Sequence, residues 1–146
     1  MEEGLHIRGL DFQVMGEFQI YPPLKKQIAH LLQLCFDGYP TGRIYLKQLP
    51  SFRILCFSEK KLIGHIAVEH RMMNNDGQIV SVFGLTDVCV HVQFQHHRVA
   101  TRMIDHLTQL AQERAIDFLV LMAQEVGFYK RLGFLPVNNK CQWVMI

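Results

Sequence analysis

The stretch from Val80 to Arg98 constrains the fold most, because an apolar strand there runs directly into the start of an amphipathic helix. Between Val80 and Val92 both sets of alternating positions are mostly apolar, which is typical of a strand covered on both faces. The residues after it repeat at helical spacing: Val99, Ala100, Met103, Ile104, Leu107, Leu110 and Ala111. The first free amides of this helix therefore lie near His97 to Thr101, where a helix N-terminus attracts anions such as phosphate.

Length and composition indicate one compact domain. The chain has 146 residues, enough to bury a single core without stabilising cross-links, so we expect residues 1–146 to form one domain. Its hydrophobic content of 49% argues against disorder, and no apolar run reaches the roughly 18 residues that would span a membrane. The start of the chain carries acids where a secretory signal would carry basic residues, so we expect a cytoplasmic protein that does not bind membranes.

The charge and the cysteines argue against nucleic-acid binding, metal binding and a disulfide framework. A net charge of +2 is too small, and the basic residues are too scattered, to predict a nucleic-acid partner. The adjacent His96 and His97 lack nearby Cys or acidic partners, so we expect no metal site. Four cysteines lie far apart without C-x-x-C spacing, which indicates neither a zinc site nor disulfides: Cys35, Cys56, Cys89 and Cys141.

Turn signals and periodicity predict the first half of the fold. Pro22 and Pro23 precede apolar residues at helical spacing, which predicts a helix that ends near Gly38, and residues 41–49 are a candidate for a second short helix. Residues 52–57 and 62–73 read as strands, and a strong turn signal at residues 74–77 leads into the strand at Val80. These strands are predicted to form an antiparallel meander.

The second half is predicted to cross over and close the sheet. A helix over residues 98–115 returns to a strand at residues 118–122, and such a unit implies a parallel pair of strands. Gly133 is predicted to end the next helix. Residues 134–137 and 142–146 are predicted to be closing strands. The pattern therefore predicts a chain with both helices and strands, of fold class α/β (α+β).

The turn Gln95-His96-His97-Arg98-Val99-Ala100 resembles the pyrophosphate-binding motif Q/R-x-x-G-x-G/A of the GNAT superfamily of acyl-CoA-dependent N-acyltransferases. Gln95 and Ala100 match their positions, whereas Arg98 stands where the family has its first glycine. A second family signature lies downstream, with Phe118 to Met122 followed by Phe128 to Phe134. The resemblance covers roughly residues 52 to 137. It implies a single GNAT-like domain whose mixed, mostly antiparallel sheet splays between strands four and five, with helices on both faces.

The resemblance also implies acetyl-CoA as the cosubstrate. The pyrophosphate would bind the helix N-terminus, and the pantetheine arm would bind the end of the fourth strand. The residues that correspond to these sites are Val90, His91, Val92, Gln95, His97, Arg98, Val99, Ala100 and Thr101. Glycine at the position of Arg98 permits close approach of backbone to phosphate, but arginine is also a good phosphate partner, and a residue in the first turn of a helix need not have positive φ.

Tyr129 corresponds to the family's tyrosine that protonates the departing CoA thiolate, and the resemblance implies the same role for it as general acid. The alternative is that Tyr129 is a core aromatic that packs with Phe128 and Leu132. Its phenol would be the acid for a leaving thiol of ordinary pKa near 8.5. Both interpretations stay open at the level of sequence.

Asp87 is the candidate general base, because an acid in an apolar strand would be desolvated and its pKa raised toward a useful range. Polyamine acetyltransferases of the family carry an aspartate at the corresponding place, preceded by a glutamate where this chain has Thr86. A structural role for Asp87 is the alternative. Glu69 and His91 are further candidates for the base.

The function implied is transfer of an acetyl group from acetyl-CoA to a primary amine, by direct attack of the amine. The acceptor is a small molecule or a protein amine, with residues 24–49 and 72–80 framing its pocket by resemblance, and we expect a monomer or a homodimer. The run from Leu62 to Val68 is similar to that of aminoglycoside-type acetyltransferases. The alternative is a catalytically weak GNAT-fold module that binds acyl-CoA or a partner.

Overall fold

The computed structural model describes residues 9–138. These residues contain five strands: β1 (Leu10–Gly16), β2 (Phe52–Ser58), β3 (Lys61–Asn75), β4 (Gln78–Val90) and β5 (Phe118–Leu121). They also contain three α-helices and two single 3-10 turns: α1 (Pro22–Cys35), α2 (Val99–Glu113), α3 (Val126–Arg131), Glu17–Gln19 and Val92–Phe94. Within this part of the chain, no helix is long and apolar enough to cross a membrane.

The strands form one mixed sheet in the order β1-β2-β3-β4-β5. The first four pair antiparallel, and β4 pairs with β5 in parallel after the crossover through α2. The predicted meander and parallel pair are therefore confirmed. β3 and β4 are joined by Asp76 and Gly77, whose φ angles of 52° and 89° suit a two-residue hairpin turn with two left-handed residues.

The two long helices cover opposite faces of the sheet. Met103 is among the fully buried residues of α2 on one face, and Ile28 is among those of α1 on the other. Successive residues of β2 alternate between these two layers, with Ile54 in the α2 layer and Leu55 in the α1 layer. The predicted α+β fold with helices on both faces is confirmed.

The predicted helix boundaries hold within a few residues. Pro22 opens α1, where a proline loses no helical hydrogen bond, and the helix ends three residues before Gly38. α2 runs from Val99 to Glu113, inside the predicted range of 98–115. Gly133 follows α3 with a φ of 95°, a conformation that glycine adopts without strain at a helix end.

The predicted short helix at residues 41–49 is wrong, because this segment consists of turns and bends. Gly42 has a φ of 74°, which is incompatible with a right-handed helix. Ile44 is buried against the α1 layer, and its carbonyl accepts a hydrogen bond at 2.9 Å from the guanidinium of Arg53. Tertiary contacts of the loop therefore determine its conformation.

The predicted closing strand at residues 134–137 is also wrong, since these residues have no regular secondary structure. The amide of Phe134 donates at 3.1 Å to the carbonyl of Tyr129 and so completes the end of α3. Pro136 has no amide to offer to a strand partner. The other predicted closing strand, Gln142–Ile146, lies outside the described residues.

β4 separates from β5 over its last five residues. The parallel pairing begins at Val82 with Phe118 and ends at Leu85 with Leu121. β4 continues to Val90, so within residues 9–138 its last five residues have no strand partner on the β5 side. The strand ends two residues before the predicted boundary at Val92, where a 3-10 turn begins. The splay between strands four and five is therefore confirmed.

Candidate functional site

A β-bulge in β4 marks the start of the splayed segment. His65 of β3 lies opposite Cys89, and Ala67 lies opposite Thr86, so two residues of β4 face one residue of β3. Asp87 is the first of the two and has a φ of 50°. Because of the extra residue, Leu85 packs in the α2 layer and Cys89 in the α1 layer.

The carboxylate of Asp87 lies half-buried at the bulge and is held by a tyrosine. Tyr39, which follows α1, donates from its hydroxyl to Oδ2 of Asp87 at 2.9 Å. Burial raises the pKa of the Asp87 carboxyl, while the hydrogen bond from Tyr39 and the positive charge of Arg53 act in the opposite direction. Burial also raises the pKa of Tyr39, so its hydroxyl keeps the proton that it donates. Tyr39 was not among the residues predicted for the site from the sequence.

The side chain of His65 forms a hydrogen bond with the backbone of the bulge. This side chain is fully buried (0% exposed), and its Nδ1 lies 2.8 Å from the carbonyl oxygen of Asp87. Its Nε2 lies 2.9 Å from Nη1 of Arg53. A guanidinium only donates and a carbonyl only accepts, so the ring is neutral with its proton on Nδ1. Burial, with the charge of Arg53, lowers the pKa of His65 to about 3.

Arg53 links the histidine to two other segments. The guanidinium is fully buried (0% exposed) and forms an ion pair with both carboxylate oxygens of Glu17, at 2.8 and 2.9 Å. It also donates to the carbonyl of Ile44. Neither Arg53 nor His65 was predicted from the sequence, although His65, an ionisable residue within the apolar run from Leu62 to Val68, indicates buried partners.

The other two candidate bases have local partners. Glu69 accepts hydrogen bonds from Gln48 at 2.7 Å and from Arg71 at 2.8 Å, the latter as an ion pair. The ring of His91 accepts a hydrogen bond from the amide of Gln93 at 3.2 Å. Burial, with the charges of Lys61 and His30, lowers the pKa of His91.

The end of β4 directs one backbone amide into the splay. The amide of His91 donates at 2.7 Å to the carbonyl of Ile63 on β3. Successive amides of an antiparallel strand point to opposite sides, so the amide of Val90 points away from β3 toward the open side. Val92 begins the 3-10 turn and is exposed. Of the three residues predicted for the pantetheine arm, Val90 is thus the one whose amide faces the splay, and the amide of His91 is already paired.

The turn from Gln95 to Arg98 connects this strand end to α2. The side chain of Gln95 donates at 3.3 Å to the carbonyl of Val90, which brings the predicted turn and strand residues together. Arg98 is the N-cap of α2 with φ 60° and ψ 23°, in the left-handed region. The expectation that this position needs no positive φ is therefore wrong. The turn demands the conformation that the glycine of the motif adopts freely.

The N-terminus of α2 carries free amides at the predicted place. The helical hydrogen bonds begin with the amide of Arg102, which donates to the carbonyl of Arg98 at 3.0 Å. The three residues before it, Val99, Ala100 and Thr101, are the first of the helix and have no carbonyl one turn earlier to bond. Arg98 supplies no side-chain cap. The arrangement suits an anion, which would also meet the positive end of the helix dipole.

Tyr129 lies on α3 with its ring half-buried. The ring packs edge-on against Phe128 and Phe134, with centroids 5.0 and 5.8 Å away. Burial, with the charge of Glu125, raises the pKa of the phenol. Within residues 9–138 the hydroxyl makes no hydrogen bond, and no polar contact joins Tyr129 to Asp87.

The described cysteines and histidines form no metal centre. In residues 9–138, no group of three or more His, Cys, Asp or Glu side chains could hold a metal ion. The thiols of Cys35, Cys56 and Cys89 are free.

Comparison with protein-family models identifies the family of this chain. The family model of the acetyltransferase (GNAT) domain matches residues 25–137. No curated protein sequence gives a significant match.

Solved structures of several acetyltransferases share the fold. An aminoglycoside acetyltransferase from an uncultured soil metagenomic sample is 16% identical, with a TM-score of 0.69 over 95% of this chain and 100% of that chain. The ribosomal-protein-alanine N-acetyltransferase of Brucella melitensis biovar Abortus 2308 is 17% identical, with a TM-score of 0.66 over 94% and 99%. The glucosamine-6-phosphate N-acetyltransferase of Arabidopsis thaliana is 15% identical, with a TM-score of 0.62 over 93% and 98%.

We expect the left-handed backbone at Arg98 to reduce stability. A side chain in this region costs about 1–2 kcal/mol, whereas glycine loses about 0.5–1 kcal/mol of chain entropy instead. The midpoints of these ranges predict that Arg98→Gly is more stable than Arg98→Ala by about 0.75 kcal/mol, as measured by urea unfolding. The alanine variant is the matched control, because both substitutions remove the guanidinium. Equal stability of the two variants would contradict the strain.

Proposed function

The chain belongs to the GNAT acetyltransferase family, and on that premise we propose that it moves an acetyl group from acetyl-CoA to a primary amine by direct attack. The observation that carries the proposal is the splay of β4 from β5 beside the free N-terminus of α2. The splay exposes the strand amide of Val90, and the N-terminus of α2 exposes amides that can bind an anion. An acyl-CoA, with its pantetheine arm and its pyrophosphate, needs both kinds.

The cofactor-binding role falls to the end of β4 and to the turn after it. The amide of Val90 would serve the pantetheine arm, and the amides of Val99, Ala100 and Thr101 would hold the pyrophosphate. His97 and Arg98 would add positive charge, and Gln95 would keep the turn against the strand through its bond to Val90. Acetyl-CoA supplies the acetyl group as a thioester. A backbone amide aimed at the thioester oxygen would stabilise the negative charge that develops there during attack.

Asp87 is the proposed general base. An acceptor ammonium with a pKa near 10.4 must lose a proton before its nitrogen can attack. The raised pKa of the half-buried Asp87 carboxyl favours uptake of that proton. Tyr39 occupies Oδ2 of the carboxylate, which leaves Oδ1 for the acceptor.

Tyr129 is the proposed general acid. Its raised pKa keeps the phenol protonated near neutral pH, as a proton donor requires. Its hydroxyl has no partner among residues 9–138, so it is free to donate to a leaving thiolate. The packing of its ring against Phe128 and Phe134 would hold the hydroxyl in place.

The acceptor class in this proposal is an amine, either of a small molecule or of a protein. The similar proteins are named for acceptors as different as aminoglycosides, glucosamine-6-phosphate and ribosomal-protein alanine. A fold that serves all three does not select among them.

A second candidate function is a GNAT-fold module that binds acyl-CoA with little or no turnover. The observation in its favour is Arg98, whose side chain stands at the glycine of the motif while the backbone is left-handed. Release of CoA in the presence of an amine panel, followed with a thiol reagent, separates the two functions. Binding of acetyl-CoA without thiol release would support the module.

Acetyl-CoA is expected to bind at the N-terminus of α2 and to raise the melting temperature. A ligand at 100 times its Kd stabilises the folded state by about 2.7 kcal/mol. Ala100→Trp should abolish this stabilisation, because the bulky ring would fill the space next to the free amides. Gln112→Trp, at the exposed far end of the same helix, is the control and should keep it. A parental ligand shift in Ala100→Trp would show that the cofactor binds elsewhere.

Tyr129→Phe should separate catalysis from stability. The substitution keeps the ring and its packing, so the melting temperature should change little. Loss of a general acid lowers turnover by about a hundredfold to ten-thousandfold. The measurement is kcat with saturating acetyl-CoA and the best amine of the panel. A parental kcat would exclude the tyrosine as acid and leave protonation of the thiolate to solvent.

Asp87→Asn should lower the rate most at low pH. The amide still accepts the hydrogen bond from Tyr39 but cannot take a proton from the acceptor. At high pH a growing fraction of the amine is already deprotonated, so the rate should partly recover. The measurement is a pH profile of kcat/KM for the acceptor, with Asp105→Asn on the exposed side of α2 as control. A loss of equal size at every pH would indicate a structural role.

A further inference from the structure

The buried pair of Arg53 and His65 has no part in the transfer as proposed. Both side chains are fully buried in the middle of the sheet, and neither is among the groups assigned to the cofactor or to the leaving thiol. Burial of a guanidinium is costly unless all its donors are bonded. Two partners of Arg53 connect it to the candidate base, because His65 bonds the backbone of Asp87 and Ile44 lies in the same loop as Tyr39.

His65 donates a hydrogen bond to the carbonyl of Asp87, the backbone group that the bulge leaves without a strand partner. In the ladder between β3 and β4, neither Asp87 nor Val88 has a Cα partner. The carbonyl of Asp87 would therefore lack its usual partner from β3, and the Nδ1 proton of His65 bonds it at 2.8 Å. Since Arg53 bonds the opposite ring nitrogen at 2.9 Å, the ring is fixed at both ends.

Arg53 also holds the loop that carries the partner of the carboxylate. Its bond to the carbonyl of Ile44 anchors the segment after α1, and Tyr39 lies in that segment. Tyr39 then bonds Oδ2 of Asp87. The backbone of Asp87 is thus fixed through His65, and its side chain is fixed through the loop that Arg53 anchors. The ionisable groups around this carboxyl are Tyr39, Arg53, His65 and Cys89.

We propose that Arg53 and His65 are positioning residues for Asp87, which set the direction in which its carboxylate meets the acceptor amine. The proposal rests on the proposed function, in which Asp87 is the general base. It assigns to the two residues an effect on the acceptor step and none on the binding of acetyl-CoA.

A double-mutant cycle tests this coupling. His65→Leu removes the donor to the carbonyl of Asp87, whereas His65→Asn keeps an amide donor near the place of Nδ1. A misplacement of about 1 Å can cost about a hundredfold in rate. We expect His65→Leu to lower kcat/KM for the acceptor by about tenfold to a hundredfold with an unchanged Kd for acetyl-CoA, and His65→Asn to recover most of the loss. In the Asp87→Asn background, His65→Leu should cause no further loss.

The same loss in both backgrounds would overturn the proposal, because a purely structural effect would not need the carboxylate. If His65→Leu does not fold, Arg53→Lys takes its place in the cycle. A lysine keeps the charge beside Glu17, but the three donors on its single nitrogen cannot reproduce the four bonds of the planar guanidinium. It should show the same selective loss for the acceptor.

The pKa of the Asp87 carboxyl can be measured by NMR from the chemical shift of its carboxyl carbon. This measurement tests the positioning role independently of the proposed function. If Asp87→Asn keeps the parental rate at every pH, the role of base fails, and the coupling is then judged by this titration alone. We expect the carboxyl pKa in His65→Leu to differ from that of the parent and to return toward it in His65→Asn. An unchanged pKa in His65→Leu would overturn the positioning role.

Discussion

One extra residue in β4 is the constraint on which the candidate site depends. Without the bulge at Asp87, Leu85 and Cys89 would lie on the same face of the sheet, and the alternation of β4 would continue unbroken. With it, β4 changes face near its C-terminal end, just after its last pair with Leu121 of β5. The proposed base lies in the bulge itself. The residues after it in the same strand form the side of the splay that is proposed to bind the cofactor. Such bulges are common where a strand must redirect a side chain at a functional site.

The bulge is linked through His65 to an ion pair between Arg53 and Glu17, which stability alone does not explain. Glu17 binds Arg53 through both oxygens, and the other donors of the guanidinium reach Ile44 and His65. Such an ion pair adds little net stability compared with a well-packed apolar pair, because Arg53 loses its contact with water entirely and Glu17 loses most of it. Its fixed geometry, however, specifies how three separate segments meet. We therefore regard the pair as a source of a unique conformation around Asp87.

The sequence could predict those features that depend on local pattern. β2 to β5, α1 and α2 follow from periodicity and turn residues, and the splay follows from the motif at Gln95 to Ala100. β1 was not predicted, although its residues from Leu10 to Val14 alternate between apolar and polar as expected of a strand with one covered face. Tyr39 and Arg53 were not predicted either. They lie 48 and 34 residues before Asp87, and such pairings become visible only when the loop after α1 is placed in space.

Arg98 has a backbone conformation that favours glycine, although the chain has an arginine there. The strand end and the first turn of α2 are both fixed, by the bond from Gln95 to Val90 and by the burial of Val99, so the residue between them must be left-handed. A glycine would fit without cost, yet the chain places a cation there, next to free amides that already favour an anion. The strain of about 1–2 kcal/mol is less than the stabilisation of about 2.7 kcal/mol that a ligand at 100 times its Kd would give. We therefore expect bound acetyl-CoA to stabilise the turn at Arg98 by more than its left-handed backbone costs.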